Sequence, residues 1–394
     1  MSLMSRLMNW LHPTGLATTA TSSSISSFLW LSLLVLAFVG ALLVTVSASI
    51  WFTRLLEQMS DLFDLPPGLL SLLGALGANI PNYVASLVAG ISGQVVVGVS
   101  LIIGSNIYNM AIILGISTFA SSTRRGIVLT RKEAQDVRIV AGYTLTMMVL
   151  TGLAVGLFSQ RNISATSLQA PFLVNMLLAL LNILTLGLFG VLSFHALRRV
   201  PDAHPSEKRP AVLSDQAPTP LALSALLRSA TTYAPSPTDA QPNRRSATLR
   251  AVGKTVVALI MALGGVIVMV QSAEAFAGEV HLSSAILGLL VLAVATSLPN
   301  TVVAFTLART NRASACIEEV LSSNSVNVAL GIAFPLLLWS STQSDPSFIF
   351  LDGLVMVALT LVALLCALRR RVSRTVGFLL VLVYICWIIV HVLI

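Results

Sequence analysis

Charge is what this sequence has least of. Only 10% of its 394 residues are Asp, Glu, Lys or Arg, against 56% hydrophobic residues, and a soluble domain of that length needs more charge to cover its surface. Cysteine is scarce as well. Cys316, Cys366 and Cys386 all fall inside apolar stretches without metal-ligand spacing, so they read as small packing residues and imply no disulfide framework. His12, His195, His204 and His391 sit near the ends of apolar stretches or in tails and suggest no metal cluster. A nucleotide site is also missing, because Gly253-Lys254-Thr255 lacks the earlier glycine of a phosphate-binding loop, position 248 being Thr. Without a nucleotide, any transport runs on ion gradients. No nucleophile–base pair stands out, so an enzyme is the least expected class, and no cofactor is called for.

What the chain has instead is apolar length. Stretches of about twenty apolar residues, enough to cross the hydrocarbon core, recur from end to end, and the mean hydropathy is +0.90. Ten spans are predicted, near 28–52, 68–90, 94–118, 138–158, 171–196, 252–273, 283–308, 313–340, 347–368 and 374–394. The second, third and eighth carry the most Gly, Ser and Asn. Residues 1–27 are expected to be an N-terminal tail, since Thr18–Ser27 interrupts it before any apolar run, unlike a signal peptide.

The net charge of +8 is explained by topology and not by a nucleic-acid partner. With the N-terminus outside and ten alternating spans, 21 of the 23 Lys and Arg fall in cytoplasmic loops, and only Arg6 and Arg161 lie outside. Retention of basic residues in short cytoplasmic loops gives that skew. The expected location is the inner membrane, multi-pass, with both termini outside.

Residues 197–250 hold eight prolines and scattered charge, and they read as a mostly disordered cytoplasmic linker with room for a short helix around Leu221–Arg228. The linker separates a first half, 28–196, from a second half, 251–394. Five spans in each half reverse the orientation of the second. The fold class is therefore an all-α membrane protein, ten transmembrane helices arranged as two inverted five-helix repeats.

Internal repetition supports that division. Gly-Ala-Asn-Ile-Pro-Asn (77–82) and Gly-Ser-Asn-Ile-Tyr-Asn (104–109) lie in the first half, within a repeat near 74–115. Ala-Thr-Ser-Leu-Pro-Asn (295–300) and Ser-Ser-Asn-Ser-Val-Asn (322–327) lie in the second, within a repeat near 292–331. Pro81 and Pro299, Asn82 and Asn300, Ser105 and Ser323, Asn106 and Asn324, and Asn109 and Asn327 are identities at one offset of 218, without a gap.

Each proline is expected to break its helix, since it lacks the amide hydrogen and clashes with the preceding turn. Broken backbone at that depth is tolerated where it lines a polar cavity, and it points freed carbonyls and helix ends at an ion. Ser105 and Asn109 share one helix face, as do Ser323 and Asn327. Asn82, Asn109, Asn300 and Asn327 are expected to form a ring of four amides, with Asn79, Thr296, Ser297, Ser105 and Ser323 around it. Plain kinks and small-polar helix contacts are the competing explanation for any one of these features alone.

These motifs resemble the sodium/calcium exchanger superfamily, whose members carry two alpha repeats. Each has a Gly/Ala-Thr-Ser-x-Pro-Glu segment on one helix and a Gly-Ser-Asn-x-x-Asn/Asp segment on the next. Ala295-Thr296-Ser297-Leu298-Pro299 and Gly104–Asn109 match closely, while Gly77–Pro81 and Ser322–Asn327 match with substitutions. The resemblance implies the ten-helix plan and an ion site of Asn79, Asn82, Ser105, Asn109, Thr296, Ser297, Asn300, Ser323 and Asn327. It also implies sodium, potassium, protons or calcium as transported partners, within the lipid bilayer.

The departure is chemical. Where the family has an acidic ligand after each proline, this chain has Asn82 and Asn300, and no acid lies between Asp64 and Glu133 to replace the first. Calcium takes six to eight hard oxygens with carboxylates for charge. A neutral ring in low dielectric suits a monovalent ion better, because the cost of stripping water from an ion rises with the square of its charge. Altered selectivity is expected. Loss of transport with a scaffold or regulatory role, and carriage of another solute, are the alternatives. Glu318 and Glu319 stand where the family's second repeat has Gly-Asn. They are expected at the cytoplasmic start of their helix beside Arg309 and Arg312, solvated or paired, with a cation-attracting vestibule as the alternative. Glu274, Glu279 and His281 are expected in an outer loop.

Overall fold

A computed structural model of the chain describes residues 20–63, 75–121, 123–160, 170–198, 244–309, 312–338 and 347–393. The first half begins with α1 (Ala20–Phe63), followed by α2 (Ile80–Ile91), α3 (Val95–Tyr108), α4 (Leu114–Ala120), strand β1 (Ile127–Val128), α5 (Arg131–Gln160) and α6 (Ala170–Arg198). The second half holds α7 (Arg244–Glu279), α8 (Ser284–Ile286), α9 (Ala293–Arg309), α10 (Ala313–Val326), α11 (Phe334–Leu338), α12 (Ser347–Leu368), strand β2 (Arg371–Val372) and α13 (Arg374–Leu393). Three π-helical segments, Asn109–Ile113, Leu287–Leu292 and Asn327–Ala333, join α3 to α4, α8 to α9 and α10 to α11.

The protein is an all-α membrane protein. Among the described residues nine helical stretches are long and apolar enough to cross a bilayer, and α2 is a shorter apolar helix where the second span was expected. Residues 64–74 of that span, the N-terminal tail to residue 19 and most of the linker, including the expected helix at Leu221–Arg228, lie outside the described residues. The helix carrying the sixth span starts at Arg244, inside the segment assigned to the linker. It also runs out to Glu279, so Glu274 is helical and not in the loop expected for it.

The spans divide by what they touch. The stretch from Val95 to Ala120 is almost wholly buried and Ser314–Leu338 largely so, whereas α1, α6 and α13 expose most of their apolar side chains. Phe28, Leu29, Leu36 and Phe172 are at least 60% exposed, a surface that only lipid tails suit. The repeat segments therefore form the centre, surrounded by lipid-facing helices.

The longest helix contact runs between α1 and α7. Its α1 face is small and polar, with Ala41, Thr45, Ala48 and Ser49 buried, and its α7 face offers Ala258, Ala262 and Gly265. Small residues let membrane helices approach closely where lipid tails give no hydrophobic drive. Inside the bundle α3 meets the Leu287–Leu292 segment backbone to backbone. A side chain at Gly104 would come within 2.2 Å of the Leu289 carbonyl oxygen, and one at Gly288 within 2.5 Å of the Val97 carbonyl oxygen.

Two basic loops are tied together by a feature the sequence did not suggest. β1 pairs antiparallel with β2, Ile127 opposite Val372 and Val128 opposite Arg371. Gly126 enters the pair at φ +85° with the Val372 carbonyl against it, a position closed to any side chain. Arg138 donates to the carbonyls of Ala367 and Leu368 at the end of α12, and Arg371 donates to the Arg125 carbonyl. These loops fall on one side of the bundle, and the alternation of spans assigns both to the same side.

At the far end of α12 a carboxylate is buried. Asp352 accepts a 2.8 Å hydrogen bond from the Trp387 indole nitrogen, and His391 Nε2 lies 3.1 Å from it. Trp387 stacks on Tyr384 at 5.5 Å between ring centroids, and Tyr384 meets the edge of Tyr108 at 5.7 Å. His391, expected near a span end, pairs with an acid from another helix. An acid inside an apolar span normally has a named partner, so Asp352 was the signal in the sequence. Asp352→Ala strands the indole and the imidazole and is expected to lower stability by about 1–3 kcal/mol. Asp352→Asn, which keeps an acceptor, is expected to cost less. Thermal melts of detergent-purified protein followed by size exclusion check the order.

Candidate ion site

Proline sets the local backbone of the two repeats, but differently in each. Before Pro81 the chain turns at Asn79, at φ −96° and ψ 1°, between a helical turn at 75–78 and α2, so the first helix is interrupted as expected. Pro299 sits within a continuous α9. The expected break there does not occur, because the neighbouring turns keep their bonds and only the carbonyl of Ala295 loses its donor. The irregular backbone lies about two turns earlier, in the π-helical Leu287–Leu292.

Two further π segments start at Asn109 and Asn327, equivalent positions of the two repeats. Such segments recur at functional sites. No simple sequence pattern announces them.

Seven asparagines are buried here: Asn79, Asn82, Asn106, Asn109, Asn300, Asn324 and Asn327. Asn79 is the hub. Its Nδ2 donates to the Ala75 carbonyl at 2.7 Å and to Ser323 Oγ at 3.0 Å. Its Oδ1 accepts from Asn300 at 2.8 Å and from Asn82 at 3.2 Å, so one amide links both post-proline positions. Asn82 Nδ2 also lies within hydrogen-bond distance of Ser105 Oγ, 3.0 Å, and Asn327 Oδ1, 3.1 Å. Asn327 Nδ2 reaches Ser105 Oγ and Asn106 Oδ1.

The repeat is visible in the bonds themselves. Asn79 to Ser323 at 3.0 Å and Ser297 to Ser105 at 2.6 Å join equivalent positions of opposite halves. Asn109 Nδ2 to Asn324 Oδ1 at 2.8 Å is matched by Asn327 Nδ2 to Asn106 Oδ1 at 3.0 Å. The expected four-amide ring is therefore a wider network. Asn82 and Asn327 bond directly, Asn300 joins through Asn79, and Asn109 joins through Asn324, whose own amide donates to the Asn106 carbonyl. Thr296 stays out of it, its hydroxyl spent on the Leu292 carbonyl at 2.8 Å. Asn106 and Asn324, legible in the sequence as repeat identities, were not expected in the site.

All seven Nδ2 groups have an acceptor; Asn106 donates to Met356 Sδ at 3.3 Å. The oxygens do not balance them. Asn82 Oδ1, Asn109 Oδ1 and Asn300 Oδ1 are buried with no hydrogen-bond partner. Each such group forfeits about 1–3 kcal/mol unless something electropositive satisfies it. Hard carbonyl oxygens are cation ligands, and nothing in the network supplies charge except Glu319. Its Oε1 accepts from Ser323 Oγ at 3.4 Å. The helix start expected around Glu318 and Glu319 is displaced, since α10 begins at Ala313 and has no acid in its first turn.

An all-α membrane bundle whose two halves meet in one polar network defines an ion-transporter type of architecture. The chain belongs to the sodium/calcium exchanger protein family, whose model matches residues 32–196 and 251–393. None of the curated proteins matches it. Among solved structures, the sodium-calcium exchanger NCX_Mj soaked with sodium and no calcium aligns at TM-score 0.54 and 18% identity, covering 91% of this chain and 98% of that one. The same exchanger soaked without either ion aligns at 0.52 and 19%, covering 90% and 98%. At that identity the likeness is one of fold.

Asn79→Ala removes two donated and two accepted bonds at the hub while leaving its partners buried. It is expected to destabilise by about 2–5 kcal/mol, and Asn79→Ser, which keeps a hydroxyl to match Ser297, less. Fluorescence-detected size exclusion after a temperature series checks the ranking.

Proposed function

We propose that this protein is a secondary cation transporter with a monovalent ion site between its two repeats, near the bilayer midplane. The observation that carries the proposal is three buried amide oxygens, on Asn82, Asn109 and Asn300, without a donor. Asn79, Ser105, Ser297, Ser323 and Asn327 hold Asn82 and Asn300 in place through their hydrogen bonds, and Asn324 holds Asn109.

Selectivity follows from charge. A cation entering this site gives up its water for dipoles and at most one carboxylate. The desolvation that a divalent ion must recover is about four times that of a monovalent ion of equal size, as Born scaling requires. Sodium and potassium fit a set of neutral oxygens; calcium calls for carboxylates that Asn82 and Asn300 do not supply.

Transport proceeds by alternating access, with the central segments staying near the midplane. The α1–α7 pair, in contact along a small-residue face and exposed to lipid on the other, is the element suited to slide. The protein sits in the inner membrane with its termini outside and its linker in the cytoplasm. The distribution of basic residues supports this orientation, as does the pairing of two basic loops through β1 and β2.

Proteoliposomes carrying an outward sodium gradient separate the selectivities. The wild type is expected to exchange labelled sodium or rubidium and to take up no labelled calcium. The Asn82→Glu/Asn300→Glu protein is expected to gain calcium uptake. Wild-type calcium uptake abolished by collapsing the sodium gradient contradicts the charge argument. Absence of every flux in folded protein favours a scaffold role.

A further inference from the structure

We infer that Arg124, Arg125, Arg369, Arg370 and Arg371 form one docking surface for the headgroup of an anionic phospholipid from the surrounding bilayer. The inference concerns lipid and is independent of which ion, if any, is carried.

Depth comes first. Arg124 and Arg125 lie between a span that ends at Ala120 and one that begins at Arg131, and Arg369, Arg370 and Arg371 between spans that end at Leu368 and begin at Arg374. Both loops are short, so their side chains sit where apolar tails give way to headgroups. Residues 121–138 and 369–374 together hold nine Lys and Arg against two acids, Glu133 and Asp136. Retention of basic residues on one side of a membrane requires such charges in the loops. It does not require the loops to be joined.

Here they are joined. β1 pairs with β2, and the Leu129 amide donates to the Arg370 carbonyl at 2.9 Å. Arg371 Nε donates to the Arg125 carbonyl at 3.1 Å, and Arg374 Nη2 lies 3.4 Å from the carbonyls of both Ser121 and Thr123. Two arginine clusters from opposite halves of the chain are thereby held side by side. Arg370 closes α12 at φ +55°, the left-handed position where glycine is usual and a side chain costs conformational energy. An arginine is kept there in spite of that cost.

The exposed face has the chemistry of a phosphodiester partner. The strand pair turns Ile127 and Val372 inward, both buried, and leaves Val128 beside Arg371 on the outside. All five arginines are exposed, and among the described residues no carboxylate pairs with Arg124, Arg125, Arg369 or Arg370. The nearby acids are engaged elsewhere. Glu133 accepts from the Thr130 amide at 2.8 Å and from Ser314 Oγ at 3.3 Å, and Asp136 has a partner of its own. Guanidinium groups present forked N–H donors that match phosphate oxygens. Phe119, Val128 and Leu368 are exposed on the same segments, apolar surface suited to the glycerol and upper acyl chain of a lipid. A soluble phosphate would meet the charge and leave that apolar edge uncovered.

The test titrates acyl-labelled fluorescent phosphatidylglycerol into the detergent-purified whole protein, with labelled phosphatidylcholine as the neutral comparison. The wild type is expected to bind phosphatidylglycerol about ten-fold more tightly than phosphatidylcholine, and less so as salt is raised. Arg124→Gln/Arg125→Gln/Arg370→Gln is expected to lose about ten-fold or more of that affinity. The same three positions changed to Lys are expected to keep most of it, which separates lost charge from a lost fold. Lys254→Gln/Arg309→Gln/Arg312→Gln removes as much charge from other basic positions and is expected to leave binding unchanged. Equal binding of the two lipids by the wild type overturns the inference, as does undiminished binding by the first Gln variant. An equal loss in the second Gln variant overturns it in favour of diffuse surface charge, and displacement of the lipid by inorganic phosphate overturns it in favour of a soluble anion.

Discussion

A buried side-chain amide has two hydrogens to give and one oxygen to be satisfied, and seven of them share the centre of this bundle with almost no charge. The network they form leaves three of its oxygens unpaired. Every Nδ2 finds an acceptor, while three carbonyl oxygens find nothing. In water that shortfall is trivial; in a low-dielectric interior it costs enough to matter to a membrane protein's stability. Much else serves this constraint. The Asn79 turn brings one amide within reach of both post-proline residues. The Gly104 and Gly288 contacts let the two repeats meet at backbone distance. The π segments starting at Asn109 and Asn327 shift the helix register just where those side chains enter.

The two halves are equivalent in sequence but not in backbone. Identical Pro-Asn pairs sit after a turn in one repeat and inside a continuous helix in the other. Asn79 corresponds to Ser297 in the second repeat, so the hub amide exists once. Glu319 corresponds to Leu101 in the first repeat, so the acid exists once. The duplication has thereby become a network with one hub amide and one carboxylate. That asymmetry is in keeping with the proposal of one ion of low charge.

Much of this was legible in the sequence. Apolar length and the skew of basic residues announce the spans, the 218-residue offset picks out the two repeats, and five of the seven buried asparagines were expected to lie together. What stayed hidden has physical reasons. Pro299 looks like a break because proline removes one hydrogen bond, but a single missing bond does not interrupt a helix whose neighbouring turns hold. Thr296 fits the motif, yet a threonine hydroxyl in a helix can turn back on its own carbonyl, as this one does. Asn106 and Asn324 were visible as identities, but only three-dimensional proximity shows that they relay Asn109 and Asn327. Pairing of β1 with β2, and of Asp352 with His391, joins residues more than thirty positions apart with no shared pattern.

The central claim is that the oxygens of Asn82, Asn109 and Asn300 receive a monovalent cation. Crystals soaked in thallium, whose anomalous scattering marks monovalent sites, test it most directly. The account predicts a single anomalous peak bounded by those three amide oxygens, displaced by sodium or potassium and unaffected by strontium. A peak that strontium replaces, or thallium found only at the surface while the three oxygens accept ordered water, contradicts it.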